Sequence, residues 1–218
     1  MTEGKSNDIF TFPEWSWVLR PVVAIAAVGG LVYASVLVYL GFSPLATDVG
    51  YMPEQPVPYS HALHVGQLGV DCRYCHNTVE ASAHAAIPPT QTCMNCHNIM
   101  WNREEMLAPV REAYRSGGTV PWSKVYDLPD YVYFDHSIHL KKGMGCETCH
   151  GRVDRQPLIE QAVSLQMKWC LDCHVSPEKY IRPREEVLTF GYEPEGDPDA
   201  LAARLIEEYH VNPGIDCA

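Results

Sequence analysis

Cysteine and histidine recur in this chain with one fixed spacing, C-x-x-C-H. The four copies are Cys72-x-x-Cys75-His76, Cys93-x-x-Cys96-His97, Cys146-x-x-Cys149-His150 and Cys170-x-x-Cys173-His174. The two thiols of such a motif bond covalently to the vinyl groups of a haem, and the histidine binds the iron. Paired C-x-x-C units also occur in zinc sites and disulfide frameworks, but neither needs a histidine directly after the second cysteine. With 10 histidines in 218 residues, four such neighbours arise by chance roughly four times in a million, so the signature predicts four c haems.

The composition of the chain limits its location and its partners. Eight of the nine cysteines belong to the four motifs, and haem attachment of this kind belongs on the oxidising side of a membrane. The formal net charge is −11, which argues against binding to nucleic acid and favours basic or neutral protein partners. Because several haems would fill much of the interior, we expect a domain of short helices and irregular segments.

A long apolar run near the N-terminus predicts a membrane helix. Residues 21–42 carry no charge and would reach about 33 Å as a helix, enough for a hydrocarbon core of about 30 Å. A cleaved signal peptide is the alternative, but the run exceeds the roughly 7–15 residues of a signal core. We therefore predict an uncleaved single-pass anchor.

The charges around this run predict its orientation. Lys5 and Arg20 precede it, and no Lys or Arg lies between its end and Arg73. The positive-inside rule then gives a cytoplasmic arm, residues 1–20, a helix in the inner membrane and a haem domain on the periplasmic side.

The rest of the chain is built from repeats. A proline-marked linker, residues 43–58, leads into a multihaem domain over residues 59–218. The repeats divide this domain into modules 59–118 and 119–196 and a partial third module, 197–218. Each complete module begins with an H-x-x-H pair, His61-x-x-His64 or His136-x-x-His139, and then carries two haem motifs.

The partial third module predicts a fifth haem. His210 precedes Cys217 by seven residues, the separation that also joins His139 to Cys146. We predict that Cys217 begins a fifth C-x-x-C-H, with a free thiol as the alternative. Asp197 and Pro198 predict the start of a helix ahead of it.

Histidines outside the motifs are the candidate distal ligands of the irons. They are His61, His64, His84, His136, His139 and His210. Since His84 has no counterpart in the second module, Met167 is a further candidate for one haem, with ordinary packing as the alternative. With both faces of each iron occupied, we expect electron transfer and no substrate chemistry at iron.

One further helix is predicted between the modules, over residues 102–116. It ends at a Gly117-Gly118 pair typical of a C-cap. Its Met106, Val110 and Tyr114 share a face and are predicted to pack inside.

The chain resembles two kinds of multihaem cytochrome. Its H-x-x-H pairs resemble those of class III multihaem cytochromes, in which two nearby histidines serve different haems. Its segments IPPTQTCMNCH (87–97), HGRVDR (150–155) and WCLDCH (169–174) resemble the pentahaem cytochrome subunit of alternative complex III. The chain departs from that family at the fifth motif, of which only Cys217 is present.

The second resemblance implies an electron-transfer subunit of a membrane quinol:electron-acceptor oxidoreductase. In that family an iron–sulfur subunit donates electrons, and polytopic membrane subunits accompany the quinol site. The acceptors are a monohaem cytochrome c, a soluble cytochrome, a copper protein or a terminal oxidase. Such a subunit is a relay and not a catalyst by itself.

Two other functions remain open at this point. One is a tetrahaem quinol dehydrogenase that feeds periplasmic reductases, which also has one N-terminal membrane helix and four motifs. The other is a haem sensor or carrier with an open iron position. The partial fifth motif and the duplicated H-x-x-H modules favour the relay subunit over the tetrahaem dehydrogenase, and carbon monoxide binding would identify the sensor or carrier.

Overall fold

A computed structural model describes residues 11–215 of this chain, except for the side chains of residues 44 and 45. It divides the chain into two compact units, Met1–Ala46 and Thr47–Ala218. Cys217, with the predicted fifth motif, and Lys5 lie outside the described residues.

The N-terminal unit consists mainly of one long helix, α1 (Ser16–Gly41). It contains nearly all of the predicted span, and none of its side chains is buried. Its mean hydropathy reaches 2.2 over 18 residues. By length and composition it is able to cross a membrane, although a signal sequence would meet the same criteria. The short helix α2 (Pro44–Thr47) follows.

The C-terminal unit is made of short helices joined by irregular segments. Its α-helices are α3 (Cys72–Cys75), α4 (Thr90–His97), α5 (Ala108–Ser116), α6 (His136–Lys141), α7 (Cys146–His150), α8 (Met167–Val175) and α9 (Pro198–Glu208). A π-helical segment, Ala62–Gln67, and 3-10 turns at Glu105–Leu107, Val153–Arg155, Pro177–Lys179 and Arg184–Glu186 complete it. Within the described residues there is no β-strand, only an isolated antiparallel bridge between Met144 and Ile181. The predicted fold class is confirmed.

Local sequence explains where several of these helices begin. The Asp71 and Asp135 carboxylates accept hydrogen bonds from the N–H groups of Arg73 and Ser137, each at 2.8 Å, and so cap α3 and α6. Asp197 caps α9 in the same way, as its sequence predicts. These short helices lack the length to be stable alone, so caps and tertiary contacts must fix them.

The helix between the modules differs from its prediction. It begins at Ala108, not at residue 102, because Pro109 lies in its first turn and a helix continued backwards from there would meet the proline ring. Gly117 ends it in the left-handed conformation, with φ of 69°, as predicted.

The side chains that this helix buries also differ in part. Val110 is buried as expected, but Met106 and Tyr114 are exposed. The 3-10 turn before the helix puts Leu107 inside in place of Met106. The resulting core cluster comprises Val57, Met94, Leu107, Val110, Ala113 and Val120.

Two distant segments of the C-terminal unit meet at a close backbone contact. The π-helical segment Ala62–Gln67 packs against the turn Val153–Arg155. The Ala62 N–H donates to the Gln156 carbonyl at 2.9 Å, and Gly66 lies so close to the Asp154 carbonyl that no Cβ fits between them.

Replacing Gly66 with Ala should therefore destabilise the haem-loaded protein by about 1–3 kcal/mol, because overpacking at rigid backbone forces a shift. Gly118→Ala is the matched control, since its Cβ would meet the flexible Ser116 hydroxyl at 3.2 Å and the Ala113 carbonyl at an ordinary contact distance of 4.0 Å. Denaturant unfolding of both variants measures the difference. Equal stability of Gly66→Ala and Gly118→Ala would contradict the close contact.

Candidate haem sites

Each haem motif lies on its own short helix. In α3, α4, α7 and α8 the two cysteines are three residues apart, so both thiols project from one face. The following histidine comes at or just beyond the end of the same turn. None of the eight motif cysteines forms a disulfide, so the disulfide framework is not the arrangement that the fold adopts.

Three of the motif histidines face a second histidine across a nearly constant gap. The ring centroids lie 6.1 Å apart for His64 and His97. They lie 6.3 Å apart for His136 and His150, whose planes differ by 9°. The distance is again 6.3 Å for His139 and His174.

This gap fits one metal ion between two imidazoles. A metal bound about 2 Å from a nitrogen of each ring would separate the centroids by roughly 6 Å. Within residues 11–215 no three His, Cys, Asp or Glu side chains converge as a shared metal site, whereas a structural zinc needs four protein ligands. A haem iron needs only two, because the porphyrin supplies the rest. The residues therefore fit haem and not zinc.

The remaining motif histidine, His76 of the first motif, lies near His61. Burial, followed by the neighbouring His76 and His64 rings, lowers the pKa of His61 to about 4. Burial and the rings of His136, His76 and His61 likewise lower the pKa of His150 to about 4. Both imidazoles are therefore neutral at pH 7, the form that binds metal.

Backbone carbonyls orient six of these eight rings. The Nδ1–H group of each ring donates a hydrogen bond to a carbonyl oxygen, which leaves Nε2 free to bind iron. The pairs are His64 with Ser60, His76 with Ala86, His97 with Met100, His136 with Ala83, His139 with Asp135 and His174 with Gly214, at 2.6–3.2 Å. In contrast, the buried Nδ1 of His61 has no hydrogen-bond partner.

Two aromatic residues support the H-x-x-H pairs and were missed by the sequence analysis. Tyr59 stacks on His64 at 4.4 Å and meets His61 edge-on at 4.8 Å. Phe134 stacks on His139 at 4.5 Å and meets His136 edge-on at 4.7 Å. Both stand two residues before the first histidine of their pair, and this shared offset was the signal in the sequence.

The other candidate ligands lie apart from these pairs. His84 and His210 are exposed, and the carbonyl of His210 accepts a hydrogen bond from Lys142 at 2.9 Å. Met167 is the first residue of α8 and is 54% exposed. The side chain that faces His174 is that of His139.

A nearly buried ion pair anchors the third motif. Glu147, between its two cysteines, accepts from Arg182 at 2.8 Å and from the Gly191 N–H at 2.7 Å. Burial alone would raise the pKa of the Glu147 carboxyl, but these hydrogen bonds outweigh it, and the pKa lies below its ordinary range. The pair thus ties α7 to the segment after α8.

Comparison with known proteins defines the class. Residues 132–190 match the family described as cytochrome c7 and related cytochrome c. With its four motifs, the chain is a multihaem c-type cytochrome with a cytochrome c7-like domain.

A more particular similarity extends further along the chain. Over 128 residues it is 33% identical to the menaquinone reductase, multihaem cytochrome c subunit, of Nitratidesulfovibrio vulgaris strain Hildenborough. The match covers 58% of this chain and 59% of that relative, so the chain spans about three fifths of the relative's length.

Exchange of His139 for Met should raise the potential of one haem, because Met/His ligation has a higher potential than bis-histidine ligation. Met167→Leu should leave all haem potentials unchanged. Redox titration of the purified full-length protein compares the two variants. A shift in Met167→Leu with none in His139→Met would instead identify Met167 as the ligand.

Glu147→Gln should destabilise the protein by about 1.5–3 kcal/mol at pH 7, since it removes hydrogen bonds to a charged group. The lowered pKa stabilises the wild type above the unfolded carboxyl's pKa of about 4.3, and this contribution is lost as the pH falls through the folded pKa. The free energy of unfolding, measured between pH 3 and pH 7, should therefore depend less on pH in the variant.

Glu112→Gln, in the exposed pair with Arg115, is the matched control and should cost less than about 1 kcal/mol. Identical pH profiles for wild type and Glu147→Gln would rule out this role.

Proposed function

We propose that this chain is the electron-relay subunit of a membrane-bound, quinone-linked oxidoreductase complex. The observation that carries the proposal is the set of histidine pairs whose centroids lie 6.1–6.3 Å apart. With two protein ligands at each iron, no coordination position is left for a substrate. Bound c haems supply reversible one-electron chemistry.

The proposed ligand pairs repeat between the modules. The first histidine of each H-x-x-H pair serves the first motif of its own module, so His61 pairs with His76 and His136 with His150. The second histidine serves the second motif, so His64 pairs with His97 and His139 with His174. Each H-x-x-H pair would thereby join two neighbouring haem sites. We propose His139 as the ligand opposite His174, in preference to Met167, because its ring lies 6.3 Å from that of His174.

The contacts support a spatial order of sites that differs from their order in the sequence. The second-motif site lies beside the first, because Asn95 of α4 donates to the Tyr74 hydroxyl of α3 at 3.1 Å. The first site lies beside the third, since Nδ1–H of His136 donates a hydrogen bond to the carbonyl of Ala83, in the loop that follows the first motif. Before haem attachment, burial and then the neighbouring Cys72 thiol raise the pKa of Cys146 to about 11, which agrees with this proximity.

The fourth site continues this order. Before haem attachment, burial followed by the thiols of Cys173, Cys146 and Cys170 raises the pKa of Cys149 to about 12, so the fourth motif is a neighbour of the third. His174 donates to the carbonyl of Gly214 at 2.6 Å, three residues before Cys217. We propose that a fifth haem at Cys217 would extend the relay beyond the fourth site. His210 and His84 stay candidate distal ligands that none of the four proposed pairs uses.

The proposed surroundings of the relay follow from the chain and from its relatives. The helix α1 would anchor the subunit in the cytoplasmic membrane, with the haem domain on the periplasmic side. Polytopic membrane subunits and an iron–sulfur subunit are the proposed neighbours within the complex. A monohaem or soluble cytochrome c or a copper protein is the proposed external partner, and the net charge of −11 favours one with a basic surface.

The direction of electron flow has two candidates. The resemblance to alternative complex III favours quinol oxidation. The name of the relative in N. vulgaris favours electron flow towards menaquinone. The same set of haem sites serves either direction, because the potentials of the partners decide it.

Reduction by a water-soluble menaquinol analogue tests the relay. We expect rapid haem reduction in the intact complex and none in the purified full-length chain, since the quinone site would belong to the membrane subunits. Reduction by dithionite is the control that both preparations hold accessible haem. Equal rates with the menaquinol analogue would instead make the chain a quinol dehydrogenase by itself.

Transfer in the reverse direction is measured on the same intact complex. A reduced soluble cytochrome c is supplied with a menaquinone analogue, and the rate of quinone reduction is compared with the rate of quinol oxidation in the first experiment. If quinone reduction is faster, menaquinone reduction is the direction of electron flow. If quinol oxidation is faster, the direction is the opposite one.

A further inference from the structure

A short loop in the first module supplies hydrogen-bond acceptors to two different haem sites. The loop, residues 78–86, lies between the first two motifs. Its Ala86 carbonyl accepts from Nδ1 of His76 at 2.9 Å. Its Ala83 carbonyl accepts from Nδ1 of His136 at 2.8 Å and from the His136 N–H at 3.2 Å. One ligand of the first site and one of the third are thus oriented by carbonyls only three residues apart.

The side chain of Thr78 holds this loop in shape. Its hydroxyl donates to the His84 carbonyl at 2.7 Å and accepts from the Ala86 N–H at 3.0 Å. Its own carbonyl accepts from the N–H groups of Ala81 and Ser82 at 3.0 and 2.8 Å. Since His84 directly follows Ala83, the hydroxyl fixes the backbone next to both acceptor carbonyls.

These acceptors affect the electronic properties of the ligands. A hydrogen bond from Nδ1–H to a carbonyl makes the imidazole more basic and fixes its ring plane. A more basic ligand stabilises the oxidised iron, and second-sphere hydrogen bonding of this kind tunes haem potentials. Loss of the bond should therefore raise the potential of the haem concerned.

We propose that Thr78 is a positioning residue that sets the potentials of the first and third haems together, through the carbonyls of Ala83 and Ala86. The inference rests on the ligand pairs of the proposed function. It adds that the two potentials respond to one side chain that touches neither haem ligand.

The layout of the module boundary explains why the two potentials should be linked. The Gln156 side chain donates to the carbonyl of His150 at 3.2 Å, and the Gln156 carbonyl accepts from Ala62, next to His61. The first and third sites are therefore neighbours. A loop that shifts both potentials in the same direction preserves the difference between them, which governs electron distribution between the two.

Thr78→Val tests the proposal, because valine keeps the branched shape and removes the hydroxyl. We expect an upward shift of two haem potentials in a redox titration of the full-length protein, with altered low-spin signals in its electron paramagnetic resonance spectrum. Variants His61→Met and His136→Met identify which potentials belong to the first and third sites. The variant Thr78→Ser, which keeps the hydroxyl, should have the same haem potentials as the wild type.

The exposed Thr119, beyond the end of α5, provides the matched control, and Thr119→Val should leave every potential unchanged. Wild-type potentials in Thr78→Val, or a shift of only one haem, would overturn the proposal. If Thr78→Val fails to assemble, Ser82→Ala removes only the 3.2 Å bond from the His84 N–H and should shift the same two potentials less. Unchanged potentials in Ser82→Ala would then overturn it.

The mass of the intact denatured chain separates this failure from a failure of the proposed function, since thioether-bound haem survives denaturation. Fewer than four haems in the wild type would refute the haem sites themselves. Four or more haems with unresponsive potentials would refute only the role of Thr78.

Discussion

The proposed haem sites depend on one geometric feature, the nearly constant separation of paired imidazole rings that would lie on opposite sides of an iron. Three pairs of rings satisfy it within 0.2 Å of one another, although their partners are 14 to 35 residues apart in the sequence. Backbone carbonyls accept hydrogen bonds from Nδ1 of five of these six rings, His150 being the exception. Tyr59 and Phe134 support the rings of the two H-x-x-H pairs.

This constraint also explains the scarcity of regular structure. The main buried cluster is small and lies around α4 and α5, and Leu205 is the largest fully buried side chain of the part described. A domain of this size ordinarily buries about two thirds of its surface in a protein core. Here the haems would contribute much of the apolar interior, so the short helices serve mainly to present cysteines and histidines. We infer that folding and haem attachment are linked.

The sequence was sufficient for the features that rest on local patterns. The motif cysteines and histidines were recognisable from spacing alone, and the helix cap at Asp197 from residue type. Contacts between distant segments were not recognisable. Nothing near His136 predicts that the carbonyl of Ala83, 53 residues earlier, accepts a hydrogen bond from its Nδ1–H.

One failure of prediction has the same origin. Helical periodicity predicted that Met106 is buried, but a 3-10 turn before Pro109 changes the register and buries Leu107. Met167 stays a candidate ligand, proposed because the second module lacks a counterpart of His84. The ring 6.3 Å from that of His174 is His139, which comes from α6, two helices earlier in the chain.

The most direct test of the account is the electron paramagnetic resonance spectrum of the oxidised full-length protein, integrated against its covalent haem content. The account predicts low-spin ferric signals equivalent to four bis-histidine haems for the four described motifs, and a fifth haem would add to that number. A high-spin signal that lowers the low-spin count below four would contradict it, because in at least one pair the two histidines would then not both bind the iron.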